Sequence, residues 1–276
     1  MGSEPFSSGE LELLADEDRP GGWLLLLDRI RQSYVDVDDP TYLDFEYVQN
    51  FADAIDTLPD GPLAVTHVGG GACTLARYLA VTRPQSPQIV LEPDTAVTEL
   101  VRARLPFPRE ARIRVRPIGG REGVAALKSA SADVLVLDAF FGGRVPGELT
   151  TAEFVADAAR VLRPGGLFLA NIADGPPLTY SRRFVAAVRQ SLPAVLLRSD
   201  PAVLKGRRFG NVVLVAAADE ASLPVAATSR AAAAAMFPQR VLAGAELRSL
   251  VGPAAPLTDA EPMRSPTPPD EIWRVG

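Results

Sequence analysis

Apolar residues follow two spacings along this chain. Compact runs at 65–68, 89–91, 132–138, 167–172, 195–198 and 211–217 read as buried strands. Between them, residues 73–81, 95–104, 121–129, 151–162 and 180–192 carry apolar positions three and four apart, the period of an amphipathic helix. Pro106 stops the second of these helices and Arg163-Pro164-Gly165-Gly166 the fourth. Strands alternating with helices predict a doubly wound α/β sheet, with ligands outside the carboxyl ends of its strands. The last two strands face each other across Lys205-Gly206-Arg207-Arg208, so an antiparallel pair is expected to close an otherwise parallel sheet. Residues 111–115 alternate arginine with apolar residues, which suits a sheet edge, where charge discourages pairing with another molecule.

Ahead of this pattern, residues 23–27 and 30–35 read as a β-hairpin turning at Asp28-Arg29. Leu43, Phe45, Val48, Phe51, Ile55 and Leu58 approximate helical spacing over 41–58, and Pro59-Asp60-Gly61-Pro62 ends it. The expected organisation is a disordered acidic leader (1–19), a hairpin-and-helix appendage (20–60), a ligand-binding α/β domain (61–251) and a proline-rich, extended or disordered tail (252–276). Short helices are expected at 226–236 and 245–251.

Composition narrows the chemistry. The chain has 276 residues, 47% hydrophobic and 22% charged, as in a soluble globular protein. No apolar run nears the roughly 20 residues that span a bilayer, and the acidic N-terminus is unlike a signal peptide, so a cytoplasmic location is expected. A net charge of −6 argues against a nucleic-acid partner. One cysteine, Cys73, and one histidine, His67, leave no internal disulfide, no cysteine-built zinc site and no serine or cysteine triad to assemble. His67 falls inside a central strand and reads as a core residue.

Three groups from separate segments converge on one crevice. Gly69-Gly70-Gly71 follows the first central strand, where a Cβ would block a tight turn or the approach of a ligand. Glu92 closes the second strand and can accept hydrogen bonds from both hydroxyls of a ribose. Asp138 closes the fourth. The start of the helix after the glycines is expected to offer free N–H groups to the polar end of a nucleoside ligand.

With the glycine loop, the acid-terminated strand and the Arg163-Pro164-Gly165-Gly166 turn in place, the domain resembles the Rossmann-like class I S-adenosylmethionine-dependent methyltransferase fold. Leu25-Leu26-Leu27-Asp28-Arg29-Ile30-Arg31-Gln32 looks like the L-x-L-D-G-x-x-Q hairpin of spermidine synthases and related aminopropyltransferases. Tyr42-Leu43-Asp44-Phe45 sits where that family has Y-H-E-M. Gly69-Gly70-Gly71 matches G-G-G-D-G, Glu92-Pro93-Asp94 matches E-I-D, and Asp138-Ala139-Phe140-Phe141 falls on D-S-S-D. The similarity covers about residues 24–173. It implies a transferase of polyamine metabolism that binds a sulfonium donor, S-adenosylmethionine or its decarboxylated form, without metal. Gly69, Gly70, Gly71, Glu92, Asp94, Gly120 and Glu122 would hold the donor. Gln32, Tyr42, Asp44, Phe141 and Asp174 would line the pocket of a small amine acceptor, and Asp138 would be catalytic. A second copy of the chain is a candidate partner.

The departures from the family pattern fall on acids. Ala72, Gly120 and Phe141 stand where the family carries aspartates, and Leu43 where it carries histidine. An ammonium taken from water into a pocket costs several kcal/mol unless carboxylates replace its hydration. The acceptor side is therefore expected to be more apolar than the family's, with Asp44, Asp174 or Glu122 as partial substitutes. Asp138, near pKa 4 against an ammonium near 10, is a poor base and is expected to orient the amine. Two other readings stay open: a small-molecule methyltransferase, which needs a hydrogen-bond donor for the methionine carboxylate near Gly70–Cys73, and a nucleoside-binding protein without catalysis.

Overall fold

The computed structural model describes residues 9–269; the expected disorder of residues 1–8 and 270–276 lies outside the described residues. Two sheets organise the chain. The smaller one is antiparallel and three-stranded: β1 (Leu11–Ala15), β2 (Gly22–Leu27) and β3 (Ile30–Asp36). Asp28 and Arg29 both take positive φ, 51° and 63°, the two left-handed residues that a tight hairpin turn requires. The expectation of a hairpin preceded by a disordered leader over 1–19 is corrected here. Leu11–Ala15 pairs along its length with β2, and Leu11 and Leu13 pack with Trp23, Leu25 and Val35. Five residues flanked by acids are too short a run to show strand periodicity.

The larger sheet has eight strands in the order β11-β9-β10-β8-β7-β4-β5-β6. Its central, parallel part is β4 (Val65–Val68), β5 (Gln88–Leu91), β6 (Ile113–Arg116), β7 (Ala132–Leu137) and β8 (Leu162–Asp174). β10 (Gly210–Ala217) runs antiparallel to both β8 and β9 (Ala194–Ser199), as the sequence predicts. The link from β9 to β10 holds only the four-residue helix α7 (Pro201–Leu204) and a turn, too short for the crossover that a parallel neighbour needs. β11 (Arg240–Ala243), not foreseen, adds an antiparallel edge next to β9. The arginine-flanked β6 is the opposite edge, so that expectation holds.

Helices cover both faces. On one lie α4 (Gly120–Ala125), α5 (Ala152–Val161), α6 (Thr179–Val188) and α9 (Gly244–Val251), around buried Phe154, Phe168, Tyr180 and Phe184. On the other, α1 (Glu46–Ile55) and α2 (Thr74–Thr82) set Phe51, Ile55, Leu75 and Leu79 against Val134, Val136 and Leu169. α8 (Val225–Ala234) lies beside β11 and α1. α3 (Thr95–Arg104) buries Val97 and Val101 against Leu25 and Val35, which ties the small sheet to the large domain. Each such buried aliphatic or aromatic side chain contributes roughly 1.5–3 kcal/mol.

Two expectations change. α1 is a core helix of the large sheet rather than part of a separate appendage, because Phe51, Ala54 and Ile55 are each at most 1% exposed. The tail is extended yet docked, at least as far as it is described. Leu257 is fully buried, and Val145 N donates to Ser265 Oγ. Asp259 receives hydrogen bonds from Thr151 and Arg121.

Candidate functional site

At the carboxyl ends of β4, β5, β7 and β8 a cavity of about 600 Å³ opens between the large sheet, the small sheet and α1. Its floor is the bend after β4. Gly69 has φ +95°, and a Cβ there would strike the Asp138 carbonyl oxygen; a Cβ on Gly71, φ +46°, would strike Ser33 Oγ. Glycine is required at both by conformation and by space. Glu92, one residue past β5, turns its carboxylate back onto this bend: Gly70 N donates to Oε2 at 2.9 Å, Gly71 N at 3.4 Å, and Asp94 N donates to Oε1 at 3.0 Å. Burial raises the Glu92 pKa, and those three N–H donors pull it back. Its oxygens keep acceptor capacity on the cavity side, where a diol can reach them.

The N–H groups of the bend that leads into α2 (Thr74–Thr82) are engaged within the protein. Gly70 and Gly71 donate to Glu92, Ala72 N donates to Ser33 Oγ at 3.1 Å, and Cys73 N donates to the Gly70 carbonyl at 2.7 Å. Ser33, from β3, thus does what no residue of the bend itself could: it satisfies a buried donor and docks the small sheet onto it.

Asp138 sits at the tip of β7. Asn171 Nδ2 on β8 donates to its Oδ1 at 3.0 Å, and the Tyr47 hydroxyl on α1 donates to the same carboxylate. Burial pushes the Asp138 carboxyl up from 3.8 to about 6, against the pull of those two donors. The Tyr47 phenol is raised well above its ordinary value by burial and by the neighbouring charge.

The other residues singled out in the sequence divide. Gly120 opens α4 on the cavity wall, where a Cβ would collide with Val68 and crowd Leu149. Glu122 lies exposed at the rim. Asp94 lines the cavity while capping α3, with Oδ1 accepting from Ala96 N at 2.9 Å and Val97 N at 3.2 Å. Gln32 lines the wall and donates to the Ile30 carbonyl at 3.3 Å. Asp44 does so as the ion-pair partner of Arg31 at 3.2 Å. Phe141, 41% exposed, lines the mouth.

Two do not reach the cavity. Tyr42 lies under the Arg19 guanidinium, 3.7 Å from its ring centroid, and edge-on to Tyr34, so it belongs to the packing of the small sheet. Asp174, 2% exposed, accepts from Gly175 N, Ser181 N and Ser181 Oγ at 2.7–2.8 Å and caps the start of α6. A buried acid with three donors already on it is a structural group. In exchange, Tyr47, Asn50, Asn171 and Asn211 line the cavity without having been picked out. The signal was there in part: Asn50 interrupts the apolar stripe of α1, and Asn171 interrupts the apolar run of β8.

The cavity is strongly anionic in its lining, eight carboxylates against three guanidiniums. Two of the acids, Asp44 and Asp200, are paired with Arg31 and Arg208. Among the described residues no group of three or more histidine, cysteine or carboxylate side chains could hold a metal. His67 is buried, bonded to Gln88 at 2.9 Å and pushed by burial down to about 4.

A parallel sheet with one reversed strand beside β8, a glycine bend after its first central strand and an acid after the next defines the class I methyltransferase fold. No protein-family model matches the chain. A probable spermidine synthase from Corynebacterium glutamicum is 32% identical and superposes with a TM-score of 0.82, covering 90% of this chain and 92% of that one. A polyamine aminopropyltransferase from Chromobacterium violaceum is 27% identical over 145 residues, 52% of this chain and 55% of that protein. A spermidine synthase in complex with the transition-state analogue AdoDATO is 18% identical and shares the fold, with a TM-score of 0.58 over 80% of this chain and 74% of that one. The chain spans about half or less of the length of the curated relatives it matches. By its likeness to the Corynebacterium protein, the chain belongs to the spermidine synthase family.

Proposed function

We propose that the protein transfers an aminopropyl group from decarboxylated S-adenosylmethionine to a small amine. The observation that carries this reading is the engagement of every N–H from Gly70 to Cys73 inside the protein. An intact methionine carboxylate would find no backbone donor there and would face a cavity dominated by carboxylates, where like charges repel. A donor that ends in an ammonium and carries a sulfonium gains from the same field. That argument weighs against the methyltransferase reading. The family's complex with AdoDATO supports a ligand of this shape.

In the proposed step the amine lone pair attacks the methylene carbon bonded to sulfur. The N–C bond forms as the C–S bond breaks, its electron pair goes to sulfur, and a neutral thioether nucleoside departs. The proton on nitrogen leaves to solvent before the attack. Glu92 holds the ribose hydroxyls, with its carboxylate fixed by the glycine bend. Asp138, oriented by Asn171 and Tyr47, accepts a hydrogen bond from the amine and aims its lone pair at the donor. Even at about 6 it remains a weak base toward an amine near 10, so its contribution is positioning.

Calorimetry with both forms of the donor tests the reading. The decarboxylated form should bind tighter, and Glu92→Gln should weaken it by about 1.5–3 kcal/mol, the contribution of a charge-assisted hydrogen bond. Tighter binding of intact S-adenosylmethionine, or silence from both with folded protein, would overturn it.

A further inference from the structure

Residues 139–146 carry the cavity wall from Asp138 outward, and Phe140, Phe141, Gly143 and Pro146 line it. The stretch is fixed at its start, where Asp138 N donates to the Val68 carbonyl at 2.8 Å. In its middle, Phe141 and Arg144 exchange backbone hydrogen bonds of 2.8 and 3.2 Å across Gly142 and Gly143, φ +57° and +71°. Two left-handed residues of this kind close a tight two-residue turn, so the tip is rigid within itself. Its far end is held from outside, by Ser265. Val145 N donates to Ser265 Oγ at 2.8 Å, Ser265 N donates to the Val145 carbonyl at 3.3 Å, and Arg144 Nε donates to the Ser265 carbonyl at 2.6 Å. Val145 and Ser265 are both fully buried. The tail that brings Ser265 here is itself anchored on α5: Ala152 N donates to the Leu257 carbonyl at 2.8 Å, and Asp259 accepts from Thr151 and Arg121 at 2.6 Å each.

We propose that Ser265 is a positioning residue for the cavity: it clamps Arg144 and Val145, so that Phe140 and Phe141 stand in place before a ligand arrives. The ligand's identity rests on the transferase reading above; the clamp does not. With Asp138 held at one end and Val145 at the other, only residues 139–144 lie between fixed points, and the glycine turn takes up most of those. Without the Ser265 hydroxyl, Val145 N is buried with no acceptor. The next fixed point is then the start of α5, and a longer stretch of the wall has to be ordered each time a molecule binds. That ordering entropy opposes binding. Ser265, Arg144 and Val145 do not themselves line the cavity, so the clamp acts on affinity and leaves the chemical step alone.

The test compares the full chain with Ser265→Ala and, as an independent cut of the same clamp, Arg144→Gln. Amide hydrogen exchange read by mass spectrometry should speed up about fivefold over residues 139–147 in both variants, with β4, β5 and β7 unchanged. Calorimetry should show methylthioadenosine binding about fivefold weaker, the effect of one lost hydrogen bond. With decarboxylated S-adenosylmethionine and butane-1,4-diamine, KM should rise by a similar factor while kcat stays within about twofold, a split that a purely structural role would not produce. Exchange over 139–147 that keeps the wild-type rate overturns the inference, as does faster exchange with no loss of affinity, or a fall in kcat at unchanged KM. Should Ser265→Ala fail to fold, Arg144→Gln decides by the same criteria. Methylthioadenosine bound by a wild type that turns over no amine overturns the transferase reading, and the clamp then stands or falls on exchange and affinity. A folded wild type that binds no methylthioadenosine overturns both.

Discussion

Asp138→Asn separates what this carboxylate does for catalysis from what it costs the fold. Burial holds its pKa at about 6 in the folded protein against an ordinary value of 3.8, a difference equivalent to about 3 kcal/mol. Because the folded value is raised, the stability linked to this proton is fully present below the unfolded pKa near 4. It is lost as pH rises through about 6. Above pH 7 the wild type therefore holds an ionised acid in a buried place at a cost of about 3 kcal/mol. An asparagine removes that charge. It also weakens the hydrogen bonds from Asn171 and Tyr47, a loss of about 1 kcal/mol. The variant should be about 2 kcal/mol more stable at pH 8, roughly 5 °C in Tm for a domain of this size, and no more stable at pH 4. Its kcat/KM should fall by about 10- to 100-fold, since one charge-assisted hydrogen bond to the amine is gone, and the acid limb near pH 6 should vanish from its pH profile. Urea unfolding at pH 4 and pH 8, beside the pH–rate profile, reads both effects. A variant less stable than wild type at pH 8, or a stability difference that does not change between the two pH values, would refute the assignment of a buried carboxylate that ionises at a cost.

One further variant tests the Asp138 contacts and another the docking of the tail. Tyr47→Phe removes one of the two donors that hold the Asp138 charge, so the acid limb should move to higher pH and kcat/KM should fall by about fivefold, about 1 kcal/mol; an unmoved limb in the pH–rate profile would count against the Tyr47 contact. Leu257→Ala empties a fully buried site under the tail and should cost about 2–5 kcal/mol in urea unfolding, whereas a tail that merely lies on the surface would lose almost nothing.

The parts of the fold read most directly from the sequence are those whose pattern is local. β4, β5 and β7 are short apolar runs ended by glycine or an acid, and α3 keeps the bounds expected of it because Asp94 caps one end and Pro106 follows the other. The reversal of β10 was legible because too few residues link it to β9. What escaped depends on partners distant in sequence. β1 is a strand only because β2 offers it an edge and Leu25 a surface, and β11 is one only because β9 does. The tail has no periodicity of its own. Leu257 and Ser265 find their places among residues more than a hundred positions earlier, with the Ser265 hydroxyl accepting from Val145 N at 2.8 Å.

The site divides along the same line. Glycines and acids at strand ends can be found by position, because topology alone brings the ends of β4, β5 and β7 together. Whether an acid is free when it arrives there depends on its neighbours. Asp174 has the same strand-end placement as Asp138, yet it meets three donors at the start of α6, while Asp138 meets Asn171 and Tyr47 and keeps a side toward the cavity. Tyr42 and Tyr47 lie five residues apart, and only the second has its hydroxyl on the covered face of α1. The residues that were overlooked are the polar ones set into apolar stripes. Asn50 and Asn171 break patterns that hydrophobic burial would otherwise complete, and a fold gains no stability from placing them there. A buried polar residue at such a position therefore points to the cavity it lines, just as Glu92 and Asp138 at the strand ends do.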